Sequence, residues 1–171
     1  MTCYHFYMES TRITDTTSVN KSRKVITSAK SYLYRESSSC PGAYELLVLR
    51  EVSKKGEESY VLPGGSKEGK ESLEEAAARE LTEETGYCDF QIQNYLGSTT
   101  YELDKDIIWI KTDHLFLVKL LSDKKVDQNL VEYEKKVIKE ILWVEMERAF
   151  SLLTHGCHPE HVGIVREVLN V

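Results

Sequence analysis

The chain has 171 residues, of which 41% are hydrophobic and 29% charged, which is enough apolar material for one domain with a packed core. Its formal net charge of −6 argues against a broad nucleic-acid or membrane footprint, although small anionic ligands stay open because a bound cation can supply local positive charge. No run of about 18 apolar residues appears, Thr2 to Ser22 is too polar for a signal-peptide core, and Cys3, Cys40, Cys88 and Cys157 lack CxxC spacing, so a cytoplasmic protein with free thiols and no membrane partner is expected.

Residues 1–22 are rich in Thr, Ser and charge and have no clear period. They read as a flexible arm or an extra strand around Tyr4–Met8, ahead of a single domain over 23–171. Lys24 to Tyr34 alternates as a strand does. A Ser-rich turn with Pro41 leads to a dense apolar run, Ala43 to Val52, read as a buried strand. Ser53 to Glu58 reads as a hairpin loop and Tyr60 to Leu62 as a short strand, which delivers Pro63-Gly64-Gly65, expected to be a tight backbone-exposed loop. Ser72 with Glu75 is a capping-box pattern, so a helix is predicted from Leu73, and Gly86 is placed to end it in the left-handed conformation. Beyond it, Asp89 to Thr100 reads as a strand with irregular ends and Asp106 to Leu121 as one long or bent strand. Ser122 to Asn129 reads as a polar loop. Val131 to Lys139 is open between loop and short helix, and Glu140 to Val144 is a strand. Met146 to Thr154 and Pro159 to Asn170 are helical in pattern, the second with Val162, Val165, Val168 and Leu169 inward. Strands on both sides of one central helix, with helices at the end, give an α+β class with a mixed sheet covered on both faces.

The central helix has an unusual charge placement. At about 100° per residue, Glu80, Glu83 and Glu84 continue the stripe of Leu73, Ala76 and Ala77, whereas Glu71, Glu75 and Thr82 take the side expected to be solvated. Carboxylates at i,i+4 spacing lie about 5–6 Å apart and repel by about 0.8 kcal/mol in water and about 3 kcal/mol at an effective dielectric of 20. Acids turned toward the body of a domain call for a counter-cation, and clustered oxygen ligands suit Mg²⁺ or Mn²⁺. The competing reading is a solvated acidic helix laced by Glu75 and Arg79 at i,i+4.

The stretch from Gly65 to Tyr87 resembles the Nudix box, G-x5-E-x7-R-E-U-x-E-E-x-G-U, with U a bulky apolar residue. Gly65, Glu71, Arg79, Glu80, Leu81, Glu83, Glu84 and Gly86 fill its fixed positions, and Tyr87 departs only in being aromatic. The resemblance implies the Nudix α/β/α sandwich and a loop–helix–loop that holds a divalent metal, Mg²⁺ or Mn²⁺, against a diphosphate. It implies hydrolysis of a nucleoside diphosphate linked to another moiety, by water attack at phosphorus. Carried over by position, Glu80, Glu83 and Glu84 are the metal ligands, Arg79 orients the catalytic glutamate, Gly65 gives the backbone room beside metal and phosphates, and Glu71 supports. It also leaves self-pairing into a homodimer open.

Outside the box, Tyr101, followed by Trp109 and Lys111, falls where Nudix enzymes often carry substrate-selecting residues, and an aromatic ring there would stack on a base. The alternative is a half-buried strand tyrosine, one of ten in the chain. No proline stands near this spacing, which speaks against an ADP-ribose reading by resemblance. Glu132, Glu134 and Glu140 are the candidates for a further acid brought from a loop, Glu134 first, because its polar stretch could fold over the site. His155, Cys157, His158 and His161 match no zinc-finger spacing and read as exposed loop residues between two helices. The functions kept open are hydrolysis of a nucleoside triphosphate or dinucleoside polyphosphate, hydrolysis of ADP-ribose or a nucleotide sugar, and nucleotide binding without cleavage.

Overall fold

A computed structural model describes residues 22–104, 106–153 and 159–170. The N-terminal segment up to residue 21, with its expected arm or strand, and the positions of His155, Cys157 and His158 lie outside the described residues.

Among the described residues, seven strands form one mixed sheet: β1 (Arg23–Glu36), β2 (Tyr44–Val52), β3 (Glu58–Val61), β4 (Gly64–Ser66), β5 (Phe90–Asp104), β6 (Ile108–Leu120) and β7 (Ile138–Glu145). The main path runs β3-β2-β1-β6-β5, with β4 paired to β1 and β7 to β2. β1 and β6 run parallel from Arg23↔Ile108 to Tyr34↔Lys119, and the other pairs are antiparallel. The helices are α1 (Leu73–Thr85), α2 (Glu134–Val137), α3 (Met146–Leu152) and α4 (Pro159–Leu169). Among the described residues no helix is long and apolar enough to cross a membrane.

The two-residue period of the central strands sorts the core into two layers. Leu33, Leu47, Leu49, Phe116 and Val118 pack with Ala76, Ala77 and Leu81 of α1 on one face. Tyr32, Tyr34, Leu46, Val48, Leu115 and Leu117 pack with Met146, Ala149, Leu153, Val165 and Leu169 on the other, under α3 and α4. This is the expected α/β/α sandwich.

The capping box at the start of α1 is complete. Glu75 N–H donates to Ser72 Oγ at 3.0 Å, and Ser72 N–H donates to Glu75 Oε2 at 2.7 Å. Gly86 closes the helix at φ +78°, its N–H donating to the Thr82 carbonyl. Tyr87, the aromatic departure from the box, is buried, and its hydroxyl accepts from Trp143 Nε1 at 2.8 Å, so the larger ring has its own packing site.

Four expectations are corrected. Gly64–Gly65 is the start of strand β4, paired to Lys30 and Ala29, and not a loop; the side-chain-free backbone of Gly64, at φ +151°, comes so close to Ala29 and Lys30 that a Cβ there would overlap them. The irregularities of β5 lie inside the strand, as register shifts between Ile92 and Asn94 and between Tyr95 and Gly97. Val168 of α4 is exposed, because the buried stripe of that helix runs through His161, Val162, Val165 and Leu169. His161 is therefore a buried residue and not an exposed loop histidine; its ring lies over Gly97, where a Cβ would come within 3.3 Å of Nε2.

Candidate active site

Helix α1 supplies the site because its buried stripe turns from alanine to glutamate. Ala76, Ala77, Glu80, Leu81, Glu84 and Thr85 are all buried, so the acids lie in line with the alanines that dock on the sheet. Glu80 and Glu84 are only 8% and 6% exposed, which settles the choice left open by the sequence: this is not a solvated acidic face. The capping pair occupies Glu75, and Arg79 turns to other acids.

Arg79 braces the cluster. Its Nη1 donates to Glu80 Oε1 at 2.9 Å and to Glu83 Oε2 at 3.1 Å. Nε and Nη2 grip the two oxygens of Glu71 at 3.1 and 2.9 Å, and Nη2 also donates to the Ser66 carbonyl at 3.0 Å. Glu71 is thus drawn under Arg79 and does not take the solvated side. The Arg79 hydrogen bonds, followed by the Glu68 amide, hold the Glu71 carboxyl well below the usual range, at about 2.

β4 supplies the second wall. Gly64 N–H donates to Glu84 Oε2 at 2.7 Å. At Gly65 a Cβ would overlap the Glu80 carboxylate, so only glycine lets the strand pass that close. The start of α2 brings Glu134 to the same acids. Ligand oxygens of Glu80, Glu84 and Glu134 lie within 4.8 Å of one another. Burial pushes the Glu84 carboxyl up to about 8, and the negative charges of Glu80, Glu134 and Glu51 add to that. Burial likewise raises Glu80. Two buried carboxyl groups whose charged forms are disfavoured, with a ligand oxygen of Glu134 within 4.8 Å of both, fit a hard divalent cation, which would neutralise the cluster through oxygen ligands.

The other predicted residues separate into those that converge and those that do not. Glu83 is half-buried, held by Arg79 and by Asn129 Nδ2 at 3.3 Å, beside the three-carboxylate group and not within it. Glu132 pairs with Lys135 at 3.1 Å and Glu140 with Arg50 at 3.5 Å, which leaves Glu134 as the outside acid that reaches the cluster. Tyr101 of β5 and Lys111 of β6 are cross-strand partners. The Tyr101 hydroxyl donates to Asp113 Oδ2 at 3.2 Å, and burial followed by Asp113 raises its pKa to about 12. Asp113, Lys30, Gln128 and Asn129 were not foreseen. Gln128 donates to the Glu84 carbonyl and Asn129 to Glu83, but a polar loop without periodicity gives no sequence signal for either contact.

The sequence matches the NUDIX domain over residues 33–167. The chain belongs to the Nudix family. Its fold is that of solved Nudix structures. A C. elegans Ap4A hydrolase in a binary complex aligns with TM-score 0.62 and 19% identity, over 85% of this chain and 98% of that one. A MutT protein from Methanosarcina mazei Go1 aligns at 0.59 and 24%, over 90% and 99%. The NUDIX domain of Shewanella oneidensis NrtR, complexed with ADP ribose, aligns at 0.59 and 17%, over 85% and 89%. Comparison with curated proteins returns no match. At these identities the likeness is one of fold, and the family match with a filled Nudix box makes the chain a Nudix pyrophosphohydrolase.

Proposed function

We propose that this Nudix enzyme hydrolyses a nucleoside triphosphate or a dinucleoside polyphosphate, with Mg²⁺ or Mn²⁺ held by Glu80, Glu84 and the neighbouring acids. The observation that carries this reading is the convergence of Glu80, Glu84 and Glu134 within 4.8 Å beside the amide of Gly64. A divalent cation bound there supplies Lewis-acid charge to the phosphate oxygens and lowers the pKa of an attacking water.

The protein's own groups do the positioning. Arg79 fixes the rotamers of Glu80 and Glu83, so the carboxylates meet the diphosphate preorganised. Gly65 keeps side-chain atoms out of the space beside Glu80. Glu134, whose Oε2 accepts from Val131 N–H at 2.8 Å, and Glu83 are the groups placed to take the proton of the water. Tyr101 and Lys111 are assigned to the substrate, the ring for a base and the ammonium for a phosphate. ADP-ribose remains the second reading, favoured by the fold shared with a domain that binds ADP ribose.

The test is product identification with purified protein, Mg²⁺ or Mn²⁺, and a panel of nucleoside triphosphates, dinucleoside polyphosphates, ADP-ribose and NADH. Hydrolysis that EDTA abolishes and the metal restores is expected, with Glu83→Gln folded but losing most turnover. Metal-independent turnover would contradict the assignment, and full activity of Glu83→Gln would remove that residue from it.

A further inference from the structure

The far end of β2 carries a recess beside the carboxylate cluster and on the same face of the sheet. Leu47 and Leu49 pack against α1, and the two-residue period puts Glu51 on that face as well. Glu51 pairs with Ile138, the first residue of β7, and its charge acts on the Glu84 carboxyl. Two residues on, the chain enters the β2–β3 turn, which its own bonds hold in shape. Ser53 N–H donates to the Glu57 carbonyl and Gly56 N–H to the Ser53 carbonyl, both at 2.9 Å. Ser53 Oγ accepts from the amides of Lys55 and Glu57, each at 3.2 Å.

α2 forms the facing wall. Val137 N–H donates to the Tyr133 carbonyl at 3.2 Å, so Tyr133 and Val137 share one side of a helical turn. Glu134, about 100° further round, goes to the acids. Between turn and helix lies a cavity of about 360 Å³ lined by Ser53, Lys54, Lys55, Glu57, Tyr133 and Val137, the size of a small-ligand pocket. Lysines in a hairpin turn are ordinarily just solvated. Here they share the cavity with an aromatic ring that is 65% exposed. Among the described residues neither lysine has an ion-pair partner and the Tyr133 hydroxyl has no hydrogen bond. Glu57, the one acid in the lining, accepts from Ser53 Oγ at 3.4 Å, so the cavity keeps a net positive charge on a protein that is acidic overall.

We propose that this cleft between the β2–β3 turn and α2 seats the second nucleoside of a dinucleoside polyphosphate, with its base stacked on Tyr133 and its phosphate held by Lys54 and Lys55. It rests on the hydrolase reading above and chooses between the two substrates named there. Tyr133 is one residue from Glu134, and Ser53 is about 7 Å along the strand from Glu51, so a substrate whose diphosphate lies at the cluster has its next groups at the mouth of the cleft. A flat apolar ring beside unpaired ammoniums suits a base carried on a phosphate, since stacking takes any base and the ammoniums take the charge. A nucleoside triphosphate has no second base to place there.

The test measures binding and turnover separately, on the full chain with Mg²⁺. Calorimetry uses methylene-bridged, non-hydrolysable analogues of diadenosine tetraphosphate and of ATP, and kinetics use the two compounds themselves. Tyr133→Ala is expected to weaken the diadenosine analogue about tenfold and to raise KM for diadenosine tetraphosphate with kcat little changed, as the loss of one stacked base does. Tyr133→Phe, which keeps the ring, is expected to stay within about twofold of wild type. Lys54→Met combined with Lys55→Met is expected to weaken the same analogue about tenfold at low salt and less at high salt. For ATP, KM and kcat are expected to change less than about twofold in Tyr133→Ala, which also shows that the neighbouring Glu134 is undisturbed. Equal losses for both compounds in Tyr133→Ala, or no loss in Tyr133→Ala or in the lysine variant, overturn the proposal. A wild type that binds the diadenosine analogue through Tyr133 but turns over neither compound strikes the hydrolase reading and leaves the cleft assignment standing.

Discussion

Arg79 is bound to three carboxylates and a carbonyl at once, and that sets what can replace it. A guanidinium presents planar donors in a fork, which an ammonium cannot reproduce. Arg79→Lys is expected to keep the charge, lose the paired grip on Glu71 and lower kcat about 10–100-fold, the usual cost of disturbing a residue that orients metal-site ligands; steady-state kinetics beside a circular dichroism spectrum check it. Glu71 offers the matching pH prediction. Its carboxyl lies at about 2 in the fold against an ordinary 4.5. A depressed folded value stabilises fully above the unfolded value and is lost as pH falls through the folded one. The stability gap between wild type and Glu71→Gln is thus expected to be constant from pH 7 to about 5 and to narrow toward pH 3, as read by denaturant titration; a gap that widens on acidification would remove Arg79 as the cause. At this scale the sequence was uneven. The burial of Glu80 and Glu84 was legible because helical spacing puts them in line with the alanines, and Glu134 because it lies on a polar stretch that could fold over the site. Asp113 and Lys30 were not, since one charged residue inside an alternating strand looks like any solvent-facing position until the register with its neighbours is known.

At the scale of elements, α1 and β4 form one device. The helix is entered through a double cap and closed by Gly86, and the strand before it comes close because of two glycines. Ser72→Ala removes one cap bond and is expected to cost about 1 kcal/mol, which lowers Tm by about 2–4 °C at this chain length. Gly65→Ala is a different kind of change. The added methyl has to displace the Glu80 carboxylate, so turnover is expected to fall about 100-fold, as misplacement by about 1 Å does elsewhere, with Tm nearly held. An active Gly65→Ala enzyme would show that Glu80 is not confined by β4. The cap and its closing glycine were readable as local rules of backbone hydrogen bonding. The pairing of Gly64–Gly65 with β1 was not, because glycines report permissive backbone and do not report what approaches it. The bulges within β5 were missed for a similar reason: they follow from how β5 pairs with β6, not from its composition.

For the molecule as a whole, the sheet is the partition between two cores. Leu81, fully buried between α1 and the sheet, shares its helix with Glu80 and Glu84. Leu81→Ala is expected to cost about 2–5 kcal/mol and to lower stability in the presence and absence of metal alike, which thermal unfolding with and without Mn²⁺ can check. The mixed sheet covered on both faces was legible because strand and helix periods were clear in long segments, and the resemblance of the box to the Nudix pattern sharpened it to the α/β/α sandwich; the branching of β4 and β7 off the main path was not legible, since it depends on which strands the crossovers leave free. The account as a whole stands on the buried carboxylates being a cation site. The most direct test is a calorimetric titration of Mn²⁺ into the metal-free protein, wild type beside Glu84→Gln, whose amide oxygen can still accept from Gly64 N–H. The account predicts saturable binding that weakens by at least about 10–100-fold in the variant. Equal affinity in the two proteins, or no saturable binding in the wild type, would contradict it.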